Sequence, residues 1–395
     1  MTAGGAVMNP GRSMAIPTLT LGTARALMAA CGLLVVSGAG LARGIATRGV
    51  QVISVRDDTS FAGTIARLSE PPGYFDSDNL ISNETSYLHA VSHLRSGRVT
   101  GGAFIGVGPD QSFSYIAVIR PSVAFMIDIR RDNLLMHLMF KALFERSRNR
   151  LEYLSRWTGR VAPPGARSWD AAPIDSILAF VDSLPIDSSG SETDSIVAAV
   201  RRFGVPLQAA DTATIRRFHG EFIRHGLDLR FTSTGRAPRY YYPTLRQLIL
   251  ERDLGGHQAS YLASEEGWRV VKDLESRDRI IPVMGNLAGT RAFPAIGREV
   301  AARGQRVSAL YVSNVEMYLW RDVSFSTFAT NAVRLPRDPR SVIIRSFFGG
   351  GFGQSHPLNR PDHVSTQLVQ TLDDFARREA RGWSSYWELV TLGNR

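Results

Sequence analysis

Two glycines one residue apart, Gly106 and Gly108, follow the apolar run Ala103-Phe104-Ile105 and precede Pro109-Asp110-Gln111. Glycines at this spacing let a backbone turn tightly and approach a ligand closely. The helix that follows offers free N–H groups to a carboxylate or phosphate. Asp110 stands at that helix start and is grouped with the loop. Asp128 lies twenty residues beyond Gly108, at the end of the next apolar run. An acid in that place meets a ribose diol. The third glycine of a dinucleotide fingerprint would fall at Gln111. Its absence favours an adenosyl ligand carrying a small carboxylate over NAD. Gly285-Asn286 and Ser313-Asn314-Val315-Glu316 end two later apolar runs. Asn286 suits an adenine edge. Asn314 and Glu316 suit the reacting group, with Glu316 as candidate base. Each also has a bland reading: Gly106 and Gly108 as an ordinary tight turn, Asn286 as a turn residue, and Glu316 as a helix-start charge.

These residues need a strand–helix–strand frame. Residues 102–107, 123–128, 279–284, 306–312 and 342–346 read as buried strands. A helix opens at Pro109, which suits a first helical position, and Pro121 stops it. Asn133 to Trp157 reads as one long helix, and Thr290 to Arg303 as another. The expected fold is an α/β, doubly wound Rossmann-like sheet with parallel strands. Residues 43–100 form an N-terminal helical layer, with helices from Thr59 to Leu68 and from Glu84 to Leu94. The first half of the core spans 101–157. A mostly helical inserted cap spans 158–262, and the second half of the core 263–348. A Gly-rich loop and C-terminal helices close the chain over 349–395.

The segments Gly106-Val-Gly-Pro-Asp-Gln and Met126-Ile-Asp-Ile-Arg-Arg resemble the nucleotide-binding half of class I S-adenosylmethionine-dependent methyltransferases. Gly73-Tyr-Phe-Asp-Ser-Asp-Asn-Leu-Ile-Ser-Asn-Glu, Ile281-Pro-Val-Met-Gly-Asn and Tyr311-Val-Ser-Asn-Val-Glu look like an uncharacterised bacterial family on that methyltransferase-like fold. The resemblance implies S-adenosylmethionine as cofactor. It implies that Gly106 and Gly108 flank the methionine part, Asp128 binds ribose and Asn286 reads adenine, where Asp is more frequent. The fourth strand lacks the Asn-Pro-Pro-Tyr pattern of amino-methylating enzymes. Two other readings stand beside this one: an exported, non-catalytic binding module, and an NADP-linked oxidoreductase using Arg130 and Arg131.

Composition bounds the alternatives. The chain of 395 residues is 44% hydrophobic and 21% charged, which excludes a disordered or polytopic membrane protein. Formal net charge is +10, and Lys141 and Lys272 are the only lysines among 46 basic residues. The arginines are scattered, so no nucleic-acid groove is indicated. The expected partner is a small-molecule nucleoside ligand. Arg12 and Arg25 precede the apolar run Ala26 to Val36, and small residues follow to Ala42. This reads as a signal peptide over 1–42, too short to span a membrane. Export to the periplasm or medium would part the chain from S-adenosylmethionine, which is made in the cytoplasm. Either the segment is not a signal, or the pocket takes another ligand, or catalysis is lost. Cys31, the single cysteine, leaves with that signal.

His89 and His93 lie one helical turn apart, but no His-Glu-x-x-His pattern or third ligand is visible, so no metal is assigned. Asp76-Ser-Asp78-Asn79 starts like a calcium loop, yet Ile81 and Tyr87 stand where Gly and Glu belong. Gly349-Gly350-Gly351-Phe352-Gly353 has no Gly-Lys-Ser/Thr after it and is no P-loop.

Overall fold

The computed structural model describes residues 59–77, 79–161, 166–233, 236–349, 353 and 355–395. The signal reading over 1–42 lies outside the described residues. Residues 55–395 form one unit.

The N-terminal layer holds α1 (Phe61–Leu68) and α2 (His89–Ser96). The Ser60 hydroxyl caps α1 by accepting the Gly63 N–H at 3.0 Å. Next come β1 (Ala103–Gly106), α3 (Gln111–Ile119), β2 (Val123–Asp128), α4 (Arg131–Arg146) and α5 (Arg150–Trp157). The interrupting region carries α6 (Ile174–Ser183), α7 (Ser191–Arg202), α8 (Ala209–His225) and α9 (Leu245–Leu250). The sheet resumes with α10 (Glu265–Ser276), β3 (Ile280–Met284), α11 (Ala292–Ala302) and β4 (Val307–Ser313). It ends with α12 (Val315–Arg321), α13 (Phe325–Val333), β5 (Val342–Phe347), β6 (Thr366–Thr371), α14 (Leu372–Glu379) and α15 (Tyr386–Thr391).

The six strands lie in the order β3-β2-β1-β4-β5-β6. The first five are parallel, and β6 runs antiparallel to β5. This α/β arrangement is compatible with a Rossmann-like fold. The chain builds outward from β1 to β3, then returns to place β4 on the other side of β1. Order therefore reverses between β1 and β4, where Gly106 is level with Tyr311. A crevice at the carboxyl ends of strands opens at such a reversal. All described positions of β1 and β5 are buried; β1 reads as a continuous apolar run, while β5 carries the buried polar residues Arg345 and Ser346.

Three expectations need correction. Residues 84–88 precede the second helix, which starts at His89 rather than Glu84; Glu84 turns its side chain inward instead. The long helix is two. The Asn149 side chain accepts the Glu152 N–H at 3.0 Å and starts α5 afresh, while Lys272 Nζ donates to the terminal Phe144 carbonyl at 2.6 Å. Residues 366–371 are a strand inside a region read as helical. Gln367 and Gln370 look like helix-surface residues, but both are buried and bonded to β5 side chains. Among the described residues, no helix is long and apolar enough to cross a membrane.

Candidate functional site

A cavity of ≈ 270 Å³ opens at the carboxyl ends of the strands around the reversal. Gly108, Asp128, Asn286 and Asn314 all line it, each from the end of a different strand. The loop before α2 adds Asn79, Ser82, Asn83 and Glu84. Phe75 and Tyr318 form an apolar corner, their rings 5.0 Å apart and perpendicular.

The glycine loop is held from two sides. Gly108 has φ +79°, and a Cβ there would come within 3.2 Å of Gln111 Nε2. Gln111 in turn donates to the Tyr311 hydroxyl at 3.1 Å. His137 from α4 reaches the Gly108 carbonyl at 2.9 Å. Burial pushes His137 down to about 4, so the ring is neutral, and its Nε2–H donates because a carbonyl only accepts. Gly106 does not line the cavity. A Cβ there would lie 2.5 Å from the Phe104 ring, so packing demands this glycine. Asp110 also stands outside the lining; it is buried, accepts from the Tyr261 hydroxyl at 3.4 Å, and is lifted by burial to about 7.

Asp128 reaches the cavity already engaged. Its Oδ1 accepts the Arg130 N–H at 2.9 Å and Nε–H at 3.1 Å, and its Oδ2 accepts Nη2–H at 2.9 Å. Arg130 Nη1 donates onward to the Ser77 carbonyl at 2.5 Å. Arg130 thus fixes the carboxylate instead of offering a separate phosphate site. Two oxygens of a carboxylate provide about four lone-pair sites, so Asp128 keeps acceptor capacity. Asn286 holds its own turn: its side-chain oxygen accepts the Ala288 N–H at 2.8 Å, and its N–H donates to Glu70 at 2.6 Å.

The candidate base Glu316 does not line the cavity. It is 1% exposed and paired with Arg345, Nε to Oε2 at 2.6 Å. Arg345 also donates to Gln370 at 2.9 Å and Asn394 at 2.6 Å. A strand-end acid one helical step into α12 faces β5, and the arginine there captures it.

Glu84, which its place in the sequence puts on a helix, also lines the cavity. It is 1% exposed. Tyr311 donates to it at 2.8 Å and Ser346 at 2.5 Å, and the Ser313 hydroxyl donates to its other oxygen. Burial, the largest influence, pushes its carboxyl up, against the pull of these three hydroxyls. Ser313 supplies its hydroxyl from a backbone at φ +53°, a conformation that is strained for a side chain and often marks functional sites. The signal for Glu84 is the polar run Ser82-Asn83-Glu84-Thr85-Ser86 between Ile81 and Tyr87.

Residues 80–163 and 234–384 match the model of a domain of unknown function, DUF7790. These stretches hold Glu84, Gly108, Asp128, Asn286 and Asn314, and all six strands. Helices α6 to α8 fall between them. No curated protein matches the chain. The match covers more than half of the chain, which therefore belongs to the DUF7790 family.

Proposed function

We propose that the cavity binds an adenosyl ligand of the S-adenosylmethionine class, on a doubly wound, methyltransferase-like sheet. One observation carries this reading: Gly108, Asp128, Asn286 and Asn314, from the ends of four strands, line one cavity beside the strand reversal. The residues present suit the group. Asp128 retains capacity for a ribose hydroxyl, and the Phe75–Tyr318 corner suits a flat base. At ≈ 270 Å³ the cavity is just under the usual span of about 300–1,000 Å³ for ligand pockets, which favours a nucleoside over a dinucleotide. Gln111 over Gly108 occupies the approach that a pyrophosphate needs, which weighs against the NADP-linked reading.

S-adenosylmethionine supplies, when bound, an electrophilic methyl group. This chain's residues position an acceptor and take its proton. Glu84 replaces Glu316 in that role, since it lines the cavity and, among the described residues, its oxygens are held by hydroxyls rather than by a cation. Tyr311, Ser313 and Ser346 hold its oxygens in place. Binding without turnover is the second reading, favoured by the signal-like segment 1–42.

Titration calorimetry of the purified chain with S-adenosylmethionine and S-adenosylhomocysteine tests the proposal. Saturable binding of either is expected, and Asp128→Ala should weaken it by about 10- to 150-fold, the worth of a hydrogen bond to a charged group. No heat with either ligand overturns the reading.

A further inference from the structure

His89 does not face a partner on its own helix. Its ring lies 4.6 Å from that of His363, tilted by 57°. His363 Nε2 is 3.6 Å from Glu251 Oε1. The donor atoms of His89, Glu251 and His363 all lie within 4.8 Å of one another. We propose that these three side chains form a zinc-class divalent metal site that clamps α2, the end of α9 and the segment entering β6.

The donor set suits such an ion. Two imidazoles and a carboxylate are borderline ligands, typical of zinc with one position left for water. Donors at about 2.0–2.2 Å around a tetrahedral ion stand about 3.4 Å apart. The His363–Glu251 pair is already near that spacing, and the remaining donor separations are no wider than 4.8 Å. A cation would enter between His363 Nε2 and Glu251 Oε1, which stand 3.6 Å apart.

The second layer is in place. The carbonyl of Pro361 lies 3.0 Å from His363 Nδ1. A hydrogen on Nδ1 donated to that carbonyl leaves the Nε2 lone pair free on the Glu251 side, as metal-ligating histidines require.

The three backbones are also tied together without any ion. Thr85 Oγ1 accepts the Val364 N–H at 3.0 Å. Ser86 meets the Ser365 hydroxyl through its N–H at 3.2 Å and its hydroxyl at 2.9 Å. The Tyr87 hydroxyl donates to the Leu248 carbonyl at 2.9 Å, three residues before Glu251. Residues 85–87 therefore pin both other ligand segments beside His89. Little ordering remains to be done when a metal binds, which favours affinity. The clamp sits five residues beyond Glu84, so it would steady the loop that carries that carboxylate. It does not depend on the adenosyl reading.

The test uses the full chain with Cys31→Ser, so that a lone thiol cannot compete, after removal of any affinity tag and stripping with a chelator. Zinc titration by calorimetry should give one ion per chain with a Kd of about 1 μM or tighter, and a raised Tm. Cobalt should give the visible absorption of a low-symmetry, tetrahedral site. His89→Ala and His363→Ala should each weaken zinc binding by roughly 100-fold or more, and Glu251→Gln by at least about 10-fold. His93→Ala, one turn along the same helix, should bind as the parent does. Circular dichroism of each apo variant separates ligand loss from unfolding. Wild-type binding weaker than about 100 μM, or tight binding that survives His363→Ala, overturns the proposal.

Discussion

Glu84 and Glu316 are both 1% exposed, yet they are held in opposite ways. Glu316 has a cation: Arg345 grips both of its oxygens, and Gln370 and Asn394 occupy that arginine's remaining reach. Glu84 is held by three neutral hydroxyls from the carboxyl-terminal ends of β4 and β5. A buried pair with matched charge is self-contained and has nothing left to offer a ligand. A buried carboxyl held by hydroxyls can still gain or lose a proton. Burial depth does not separate the two acids; their partners do.

The largest test of this contrast is Arg345→Met, which leaves Glu316 buried without its cation. A loss of about 3–5 kcal/mol is expected in urea unfolding, and joint replacement with Glu316→Leu should recover much of it. A loss under about 1 kcal/mol would break the comparison, because Glu316 would then not depend on its partner.

Glu84→Gln should show the reverse sign with pH. The folded chain raises the Glu84 carboxyl above its ordinary 4.5. Stability from this group is therefore complete below 4.5 and is lost as pH rises through the higher folded value. The neutral amide escapes that loss. Relative to wild type, Glu84→Gln should gain stability between pH 4 and pH 8, while methyl transfer, where present, falls by about 10²- to 10⁴-fold. A stability difference that is flat with pH would show Glu84 to be no different from a solvated acid.

The smallest effect sharpens the hydroxyl side. Ser313→Ala removes one of three donors and should cost about 0.5–1.5 kcal/mol of stability, read by urea unfolding. Ser313→Gly also removes the hydroxyl but relieves the positive φ, and should be more stable than the alanine variant by about 1 kcal/mol. Equal stability of the two would mean that the backbone at this strand end stores no strain.

The legible and illegible parts of the chain follow the range of the interactions involved. The first βα turn and Asp128 were readable because a tight turn, a helix start and a strand end are local. Gly106 and Gly108 look alike in sequence, yet Gly108 lines the cavity while Gly106 makes room for Phe104. Helix periodicity ran through 147–149 because one Asn cap outweighs an otherwise continuous apolar pattern only when the next turn is built. β6 was hidden because its glutamines bond inside the sheet.

His89 shows the same limit. Spacing pairs it with His93, whereas folding sets it against Glu251 and His363. The sequence alone determined the strand–turn–helix units and which strand ends bear polar groups, since backbone geometry and burial of apolar runs act over a few residues. Only the tertiary structure decided which acid meets an arginine, which meets hydroxyls, and which histidines meet each other. Those pairings join residues far apart in the chain, and the strand order, not the local pattern, brings them within bonding distance.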